Sequence, residues 1–251
     1  MLFYDYLFID IMIPAKITIK VRLHMTNFFR PNRSFYIGGA IVLTLAIILV
    51  FMNPTHQPPA APMPVSHVTV KTALKAGEKA PDFTLRDHEG NPFTLSLALI
   101  DGPVVVTFFR GNWCPICAAQ LKALDIEIQK FKDLGAQVVA ISAQLPEETA
   151  QTHARFGITM PVLSDTGMAV TKLYGVEWQM PEAIRLKTEE FLQTKQQKKL
   201  ADYNGDAGLS LPVPATYVIT KNGTIAYAFA DEDYKQRAHP ATLLQALQAL
   251  Q

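Results

Sequence analysis

Apolar positions along this chain change period several times, and each change marks a predicted element. Phe35 to Met52, FYIGGAIVLTLAIILVFM, is eighteen residues without a formal charge and with no polar face. A buried core helix of a globular protein keeps a polar stripe, so the run predicts a membrane-spanning helix at the lower limit of length. Residues 53–70, NPTHQPPAAPMPVSHVTV, hold five prolines and no charge, which predicts an extended spacer. At about 3 Å per residue in polyproline II, it would reach up to roughly 50 Å.

From about Thr72 the pattern becomes globular. APDFTLRDHEGNPFTLSL (80–97) predicts a hairpin turning at Glu89-Gly90-Asn91. PVVVTFF (103–109) is a continuous β-branched and aromatic run, as expected of a strand buried on both faces. Residues 115–133 space Leu121, Leu124, Ile126, Ile128 and Phe131 helically, QVVAISA (137–143) is a second buried strand, and PEETAQTHARFG (146–157) is a helix opening on Pro and acids and stopping at Gly. MPVLSD and MAVTKLYGV (168–176) predict a further strand and helix. ATYVITKNGTIAYAFA (215–230) predicts a strand pair around Asn222-Gly223, and HPATLLQALQALQ a closing amphipathic helix. Helices alternating with strands, plus a late antiparallel pair, predict an α/β domain with a central mixed sheet flanked by helices.

Charge adds orientation. Lys16, Lys20, Arg22, Arg30 and Arg33 precede the apolar run, and the next Lys or Arg is Lys71. The positive-inside rule then leaves residues 1–34 in the cytoplasm, 35–52 across the cell (inner) membrane, 53–71 as a linker, and 72–251 in the extracytoplasmic or periplasmic space. Cleavage as a signal peptide is the alternative, but no small-x-small site follows Met52. Met25 opens a compact basic lead-in, MTNFFRPNRS, and is an alternative start that would leave residues 1–24 untranslated. The net charge of +1 points to no nucleic-acid surface.

The chain has two cysteines, Cys114 and Cys117. A pair this close closes no long loop and reads as a redox centre or half a metal site. Zinc would want two more ligands, and the six histidines form no paired spacing, so neither a metal nor another cofactor is expected. A structural disulfide is the remaining alternative. Placement favours redox chemistry: a buried strand ends near Phe109, a short loop follows, and a helix opens at the pair. Cys114 sits where unpaired N–H groups and the helix dipole stabilise a thiolate. Pro115 stands where its missing N–H does no harm, and Cys117 lies one turn in on the same face. Cys114 is the expected nucleophile and Cys117 the resolving thiol. Val213-Pro214 opens a late strand, where proline removes a ladder donor. A cis Val213–Pro214 bond opposite the cysteines would account for it; an ordinary strand-opening proline is the alternative.

Several separated stretches, APDFTLRDHEGNPFTLS, VVVTFFRGNWCPIC, VVAISAQLPEETAQTHARFGITMPVLSD with KLYGV, and LPVPATYVITKNGTIAYAF, resemble in order the AhpC/TSA family, the peroxiredoxin-like redoxins of the thioredoxin-like superfamily, over roughly Gly77 to Leu250. The resemblance implies a thioredoxin-like fold and thiol-dependent oxidoreductase chemistry at Cys114 and Cys117, with Trp113, Pro115, Arg110, Val213 and Pro214 positioning substrate. Departures are specific. The family's Pro-x-x-x-Thr before the cysteine falls on Thr107 and Gly111, its peroxide-activating arginine on Pro214, and the buried acid of thioredoxins on Phe108. Arg110 is a candidate substitute for the arginine, or a solvated loop residue. Residues 177–208 exceed the minimal core and read as a helical insertion over the site or a plain excursion. Asp231, Asp233 and Lys235 read as solvated charges.

Two functions follow. One is a membrane-anchored thiol peroxidase: Cys114 attacks a hydroperoxide, Cys117 condenses with the sulfenic acid, and a thioredoxin-like dithiol reduces the disulfide. The other is an extracytoplasmic thiol–disulfide oxidoreductase acting on protein cysteines.

Overall fold

The computed structural model describes residues 61–205 and 210–251 in full, with the backbone of 7–13 and 17–23. The chain divides into two units, 1–58 and 59–251. In the first, β1 (Leu7–Ile13) and β2 (Ile17–Leu23) pair antiparallel with Ile13 opposite Ile17. The expected membrane span 35–52, the start at Met25 and residues 53–60 of the spacer lie outside the described residues. Among those described, no helix is long and apolar enough to cross a membrane.

The second unit is built on a mixed eight-stranded sheet. Its strands are β3 (His67–Val68), β4 (Thr84–Asp87), β5 (Pro92–Thr94), β6 (Val104–Phe108), β7 (Gln137–Ser142), β8 (Val162–Ser164), β11 (Ala215–Ile219) and β12 (Ile225–Ala230). They lie in the order β3-β12-β11-β6-β7-β8-β4-β5. The remaining short pair is β9 (Glu177–Gln179) and β10 (Ser210–Pro212), antiparallel to each other. The helices are α1 (Leu95–Asp101), α2 (Pro115–Ile126), α3 (Ile128–Asp133), α4 (Pro146–Phe156), α5 (Ala169–Leu173), α6 (Glu182–Gln196), α7 (Leu200–Asn204) and α8 (Pro240–Gln248).

Central strand β6 is buried at every residue, as its unbroken apolar pattern requires. Pleating divides it between two cores. Val105 faces the layer of Leu121, Leu124, Phe131 and Leu243, while Val104, Val106 and Phe108 face Tyr174, Tyr217 and Ile219. Thr107 spends its polarity across the sheet, with its hydroxyl 2.9 Å from that of Thr216 in register on β11.

Strand directions set where the chemistry goes. Strand β11 is antiparallel to β6 and β12 antiparallel to β11, so β12 runs parallel to β6, as do β7 and β8. The loops leaving β6, β7 and β12 therefore emerge at one end of the sheet, the carboxyl end where α/β folds place their sites.

Three expectations are corrected. The helix foreseen over 115–133 breaks at Glu127, whose N–H turns back to Leu124 O three residues earlier (3.2 Å); the turn lets α3 bury Phe131. The spacer foreseen to residue 71 ends earlier, because β3 adds to the sheet edge beside β12 and Val70 is in the core. Ordered backbone pairing outweighs proline content there: Thr69 N–H bonds Ala230 O at 2.9 Å. Finally, no peptide bond among the described residues is cis, so Val213–Pro214 is trans. Its ladder partners explain why no isomer is needed: Val213 N–H bonds Val176 O at 2.9 Å, and Pro214 O accepts from Asp231 N–H at 3.2 Å.

Candidate active site

The loop Phe109 to Trp113, between β6 and α2, is buried throughout. Cys114 is the N-cap of α2 in extended conformation, Pro115 is the first helical residue, and Ala118 N–H closes the first turn on Cys114 O at 3.1 Å. Cys117 lies one turn on, in contact with the apolar core. Both thiols are free.

The two sulfurs share a hydrogen bond, so the pair holds its protons jointly. The first to leave comes off at about 6, with the charge on Cys117. The Cys114 thiol stabilises that anion by hydrogen bonding, against the effect of burial, and Arg237 and Arg110 add positive charge. The second proton, on Cys114, is held far above the ordinary thiol range, because its hydrogen bond to Cys117 and its burial both oppose a further charge. The helix N-terminus lies at Cys114, and Arg237 and Arg110 add positive charge on the side of Cys117.

Gly111 explains the missing family threonine. Its backbone has φ +154°, and a Cβ built there would stand 2.4 Å from Trp113 Nε1 and 2.8 Å from Cδ1. The indole occupies the space a threonine side chain would need. Arg110 is buried, not solvated, with its guanidinium 5.0 Å from the Trp113 ring centroid and 4.7 Å from that of Tyr234, a cation sandwiched between aromatic faces.

Cys114 is 3% exposed and lies in the wall of a cleft of about 450 Å³. Arg110, Trp113, Pro115, Ile116 and Tyr234 line it, together with Ile184, Lys187, Thr188 and Phe191 of α6. The insertion thus supplies part of the cleft wall. Gln196 Nε2 donates to Trp113 O at 3.4 Å. Buried Glu148 on α4 accepts from Asn112 Nδ2 (3.1 Å) and from Lys198 Nζ (2.5 Å). Gln144, from the loop after β7, accepts from Asn112 N–H at 3.1 Å.

Of the residues anticipated, Arg110, Trp113, Cys114 and Pro115 converge on the cleft, and Cys117 lies behind Cys114. Val213 and Pro214 are absent from the cleft lining and serve the join between β10 and β11. Asp231 is corrected: it is 7% exposed and hydrogen-bonded to His67 at 2.5 Å. Burial alone would raise its carboxyl, but the hydrogen bonds from His67 and Asp233 N–H outweigh it and hold the pKa below its ordinary value. Sequence reasoning missed Tyr234 and Arg237. Their only signal was topological: they follow β12, which ends beside β6.

A family model described as the AhpC/TSA family matches residues 76–228. The chloroplastic peroxiredoxin Q of Sedum lineare is 30% identical over 196 residues, covering 78% of this chain and 89% of that protein. The thiol-disulfide oxidoreductase ResA of Halalkalibacterium halodurans is 31% identical over 107 residues, 42% of this chain and 60% of that one. Among solved structures, peroxidoxin BcpB from Mycobacterium tuberculosis superposes with a TM-score of 0.56 at 24% identity, over 71% of this chain and 99% of its own. Xanthomonas campestris peroxiredoxin Q gives 0.51 at 17%, over 66% and 90%. The thioredoxin-like fold, the cysteine pair at a helix N-terminus and the extent of these matches agree: the chain belongs to the AhpC/TSA family, as a thiol-dependent oxidoreductase.

Proposed function

We propose that this protein reduces hydroperoxides through Cys114 and Cys117, with an external thioredoxin-like dithiol as reductant. The observation that carries the reading is the burial of Cys114 in the wall of a cleft sized for a small molecule and lined in part by α6. A peroxide can enter such a cleft, whereas a cysteine on a folded protein would find only 3% of Cys114 exposed to meet it.

The Cys114 sulfur attacks the nearer peroxide oxygen and the O–O bond breaks. The alcohol leaves with the thiol's proton, and Cys114 carries a sulfenic acid. Cys117 then attacks that sulfur, the S–S bond forms and water leaves. The external dithiol returns both thiols and is itself oxidised to a disulfide.

The second reading, disulfide exchange with protein cysteines, is favoured by Gly111: the hydroxyl with which the family holds peroxide has no room beside Trp113. Parallel assays separate the two. Steady-state consumption of an organic hydroperoxide with thioredoxin as reductant, absent in Cys114→Ser, supports the peroxidase. Reduction of insulin disulfides without peroxide consumption would replace it with the exchange reading.

We also read residues 35–52 as a single-pass anchor in the cell membrane that places the redox domain outside the cytoplasm. The uncharged eighteen-residue run and the basic residues before it support this. Recovery of the full chain in the salt-washed soluble fraction would refute it.

A further inference from the structure

Whatever reacts at Cys114 must come through the cleft, since the thiol is 3% exposed and lies in its wall. The lining selects by charge. It holds two cations, Arg110 and Lys187, and no acidic residue, while side chains such as Ile116, Ile184 and Phe191 make most of the rest apolar.

Arg110 is the unusual one. It is 7% exposed, its Nε is buried with no hydrogen-bond partner, and none of the ion pairs among the described residues includes it. The rings of Trp113 and Tyr234 stack against it at 5.0 and 4.7 Å, which stabilises the charge but accepts no N–H hydrogen bond in its plane. A guanidinium presents a planar fork of donors, and with its faces stacked only that edge remains for a ligand. Trp113 Nε1, in the same wall, is a second buried donor without a partner. The cysteine pair offers Arg110 a counter-charge only while a thiol is ionised, and none as a disulfide. A buried charge left unpaired is costly, and the group that answers such a fork edge-on is a carboxylate.

We propose that the cleft is a carboxylate-binding site. Arg110 holds the anionic group of a small molecule with an apolar body, exposed Lys187 of α6 attracts it, and its reactive end is thereby placed at Cys114. A cleft of about 450 Å³ suits a molecule of that kind. Two sources share the chemistry: an organic hydroperoxide that oxidises the pair, or a low-molecular-weight thiol that reduces it. The thiol's sulfur would attack Cys114 of the disulfide, the S–S bond would break, and Cys117 would leave with the proton. A second thiol molecule then attacks the mixed disulfide, so that the reagent departs as its own disulfide and Cys114 regains its proton. The charge preference holds for either source, so this inference and the proposed peroxidase activity stand or fall separately.

A matched pair of alkylating reagents on the reduced full chain tests the site, with mass spectrometry locating the label at Cys114. Iodoacetate and iodoacetamide differ by a carboxylate against an amide, and from both the sulfur displaces iodide. The ratio of their rates with a small free thiol is the reference. Cys114 should exceed that ratio in favour of iodoacetate by roughly tenfold, the size of a charge-assisted hydrogen bond. Arg110→Met, which keeps an unbranched apolar chain between the two rings, should remove most of the preference. Lys187→Gln, at an exposed position, should remove about two- to threefold. A wild-type ratio equal to the free thiol's overturns the proposal, as does a preference that survives both substitutions or a Cys114 that reacts with neither reagent. Turnover separates the sources. Reduction of the disulfide faster by mercaptopropionate than by mercaptoethanol, relative to their rates with a small free disulfide, assigns the carboxylate to the reductant. A preference for a carboxylated over a neutral organic hydroperoxide assigns it to the oxidant, and a preference in neither arm overturns the proposal.

Discussion

Replacing Gly111 by alanine tests whether the Trp113 indole fills the place of the family threonine. The added Cβ would lie 2.4 Å from Nε1, 2.8 Å from Cδ1 and 3.1 Å from Cε2, all on a rigid ring that cannot yield by rotating a distant end. The indole is itself buried and carries the stacked Arg110, so moving it moves the cation too. Overpacking of a closed site costs about 1–3 kcal/mol. Holding an L-residue at φ +154°, in a sparsely populated region, adds roughly 1–2 kcal/mol. The expected loss is therefore about 2–5 kcal/mol, read from the urea unfolding midpoint at unchanged slope. Trp113→Ala in the same chain removes the clash but not the backbone strain, so Gly111→Ala should then destabilise by only about 1–2 kcal/mol, a coupling that a double-mutant cycle resolves. A Gly111→Ala chain as stable as wild type, or one whose deficit is the same with and without Trp113, would refute this packing.

Glu148→Gln should lower stability by about 1–2 kcal/mol: a charged hydrogen bond to Asn112 becomes neutral, while Lys198, 36% exposed, can turn to water. Limited proteolysis should show earlier cutting within 182–204, because Lys198 fastens that insertion to α4. Phe191→Ala, at a site 39% exposed on the rim of the cleft, should leave stability within about 0.5 kcal/mol yet speed iodoacetamide alkylation of Cys114 several-fold. His153 stacks on His88 with ring centroids 3.5 Å apart. Burial, and then the His88 charge, hold its pKa below the ordinary histidine value of 6.5. The unfolded chain therefore binds that proton more readily, and stability should decline as pH falls from about 6.5 through the folded-state value. In His153→Gln that part of the pH dependence should vanish, as urea midpoints at a series of pH values would show.

Much of this architecture was legible because periodicity reports burial. The unbroken run at 104–108 could only be a central strand, Gly157 does cap α4 in the left-handed conformation, and Asn222-Gly223 does turn β11 into β12. The placement of Cys114 and Cys117 at a helix N-terminus was legible because a buried strand and a short loop precede them and Pro115 opens the helix. What stayed hidden depends on tertiary proximity. Proline content at 53–70 said nothing of an edge strand that supplies only two residues to the sheet. Asp231 read as solvated because its partner His67 lies 164 residues away. Arg237 is 120 residues from Cys117, and only the parallel course of β6 and β12 brings them together. The cis-proline expectation borrowed a feature from one kind of site, whereas the strand join at Val213-Pro214 has ordinary hydrogen bonds of its own.

The central claim, that buried Cys114 takes a small peroxide and Cys117 resolves it, is tested most directly by stopped flow. The reduced full chain is mixed with hydrogen peroxide while Trp113 fluorescence is followed, with Cys114→Ser and Cys117→Ser alongside. The account predicts a second-order oxidation far faster than that of a free thiol, lost in Cys114→Ser, and a sulfenic acid that accumulates on Cys114 in Cys117→Ser. Oxidation no faster than a free thiol's, or equal rates in wild type and Cys114→Ser, would contradict it.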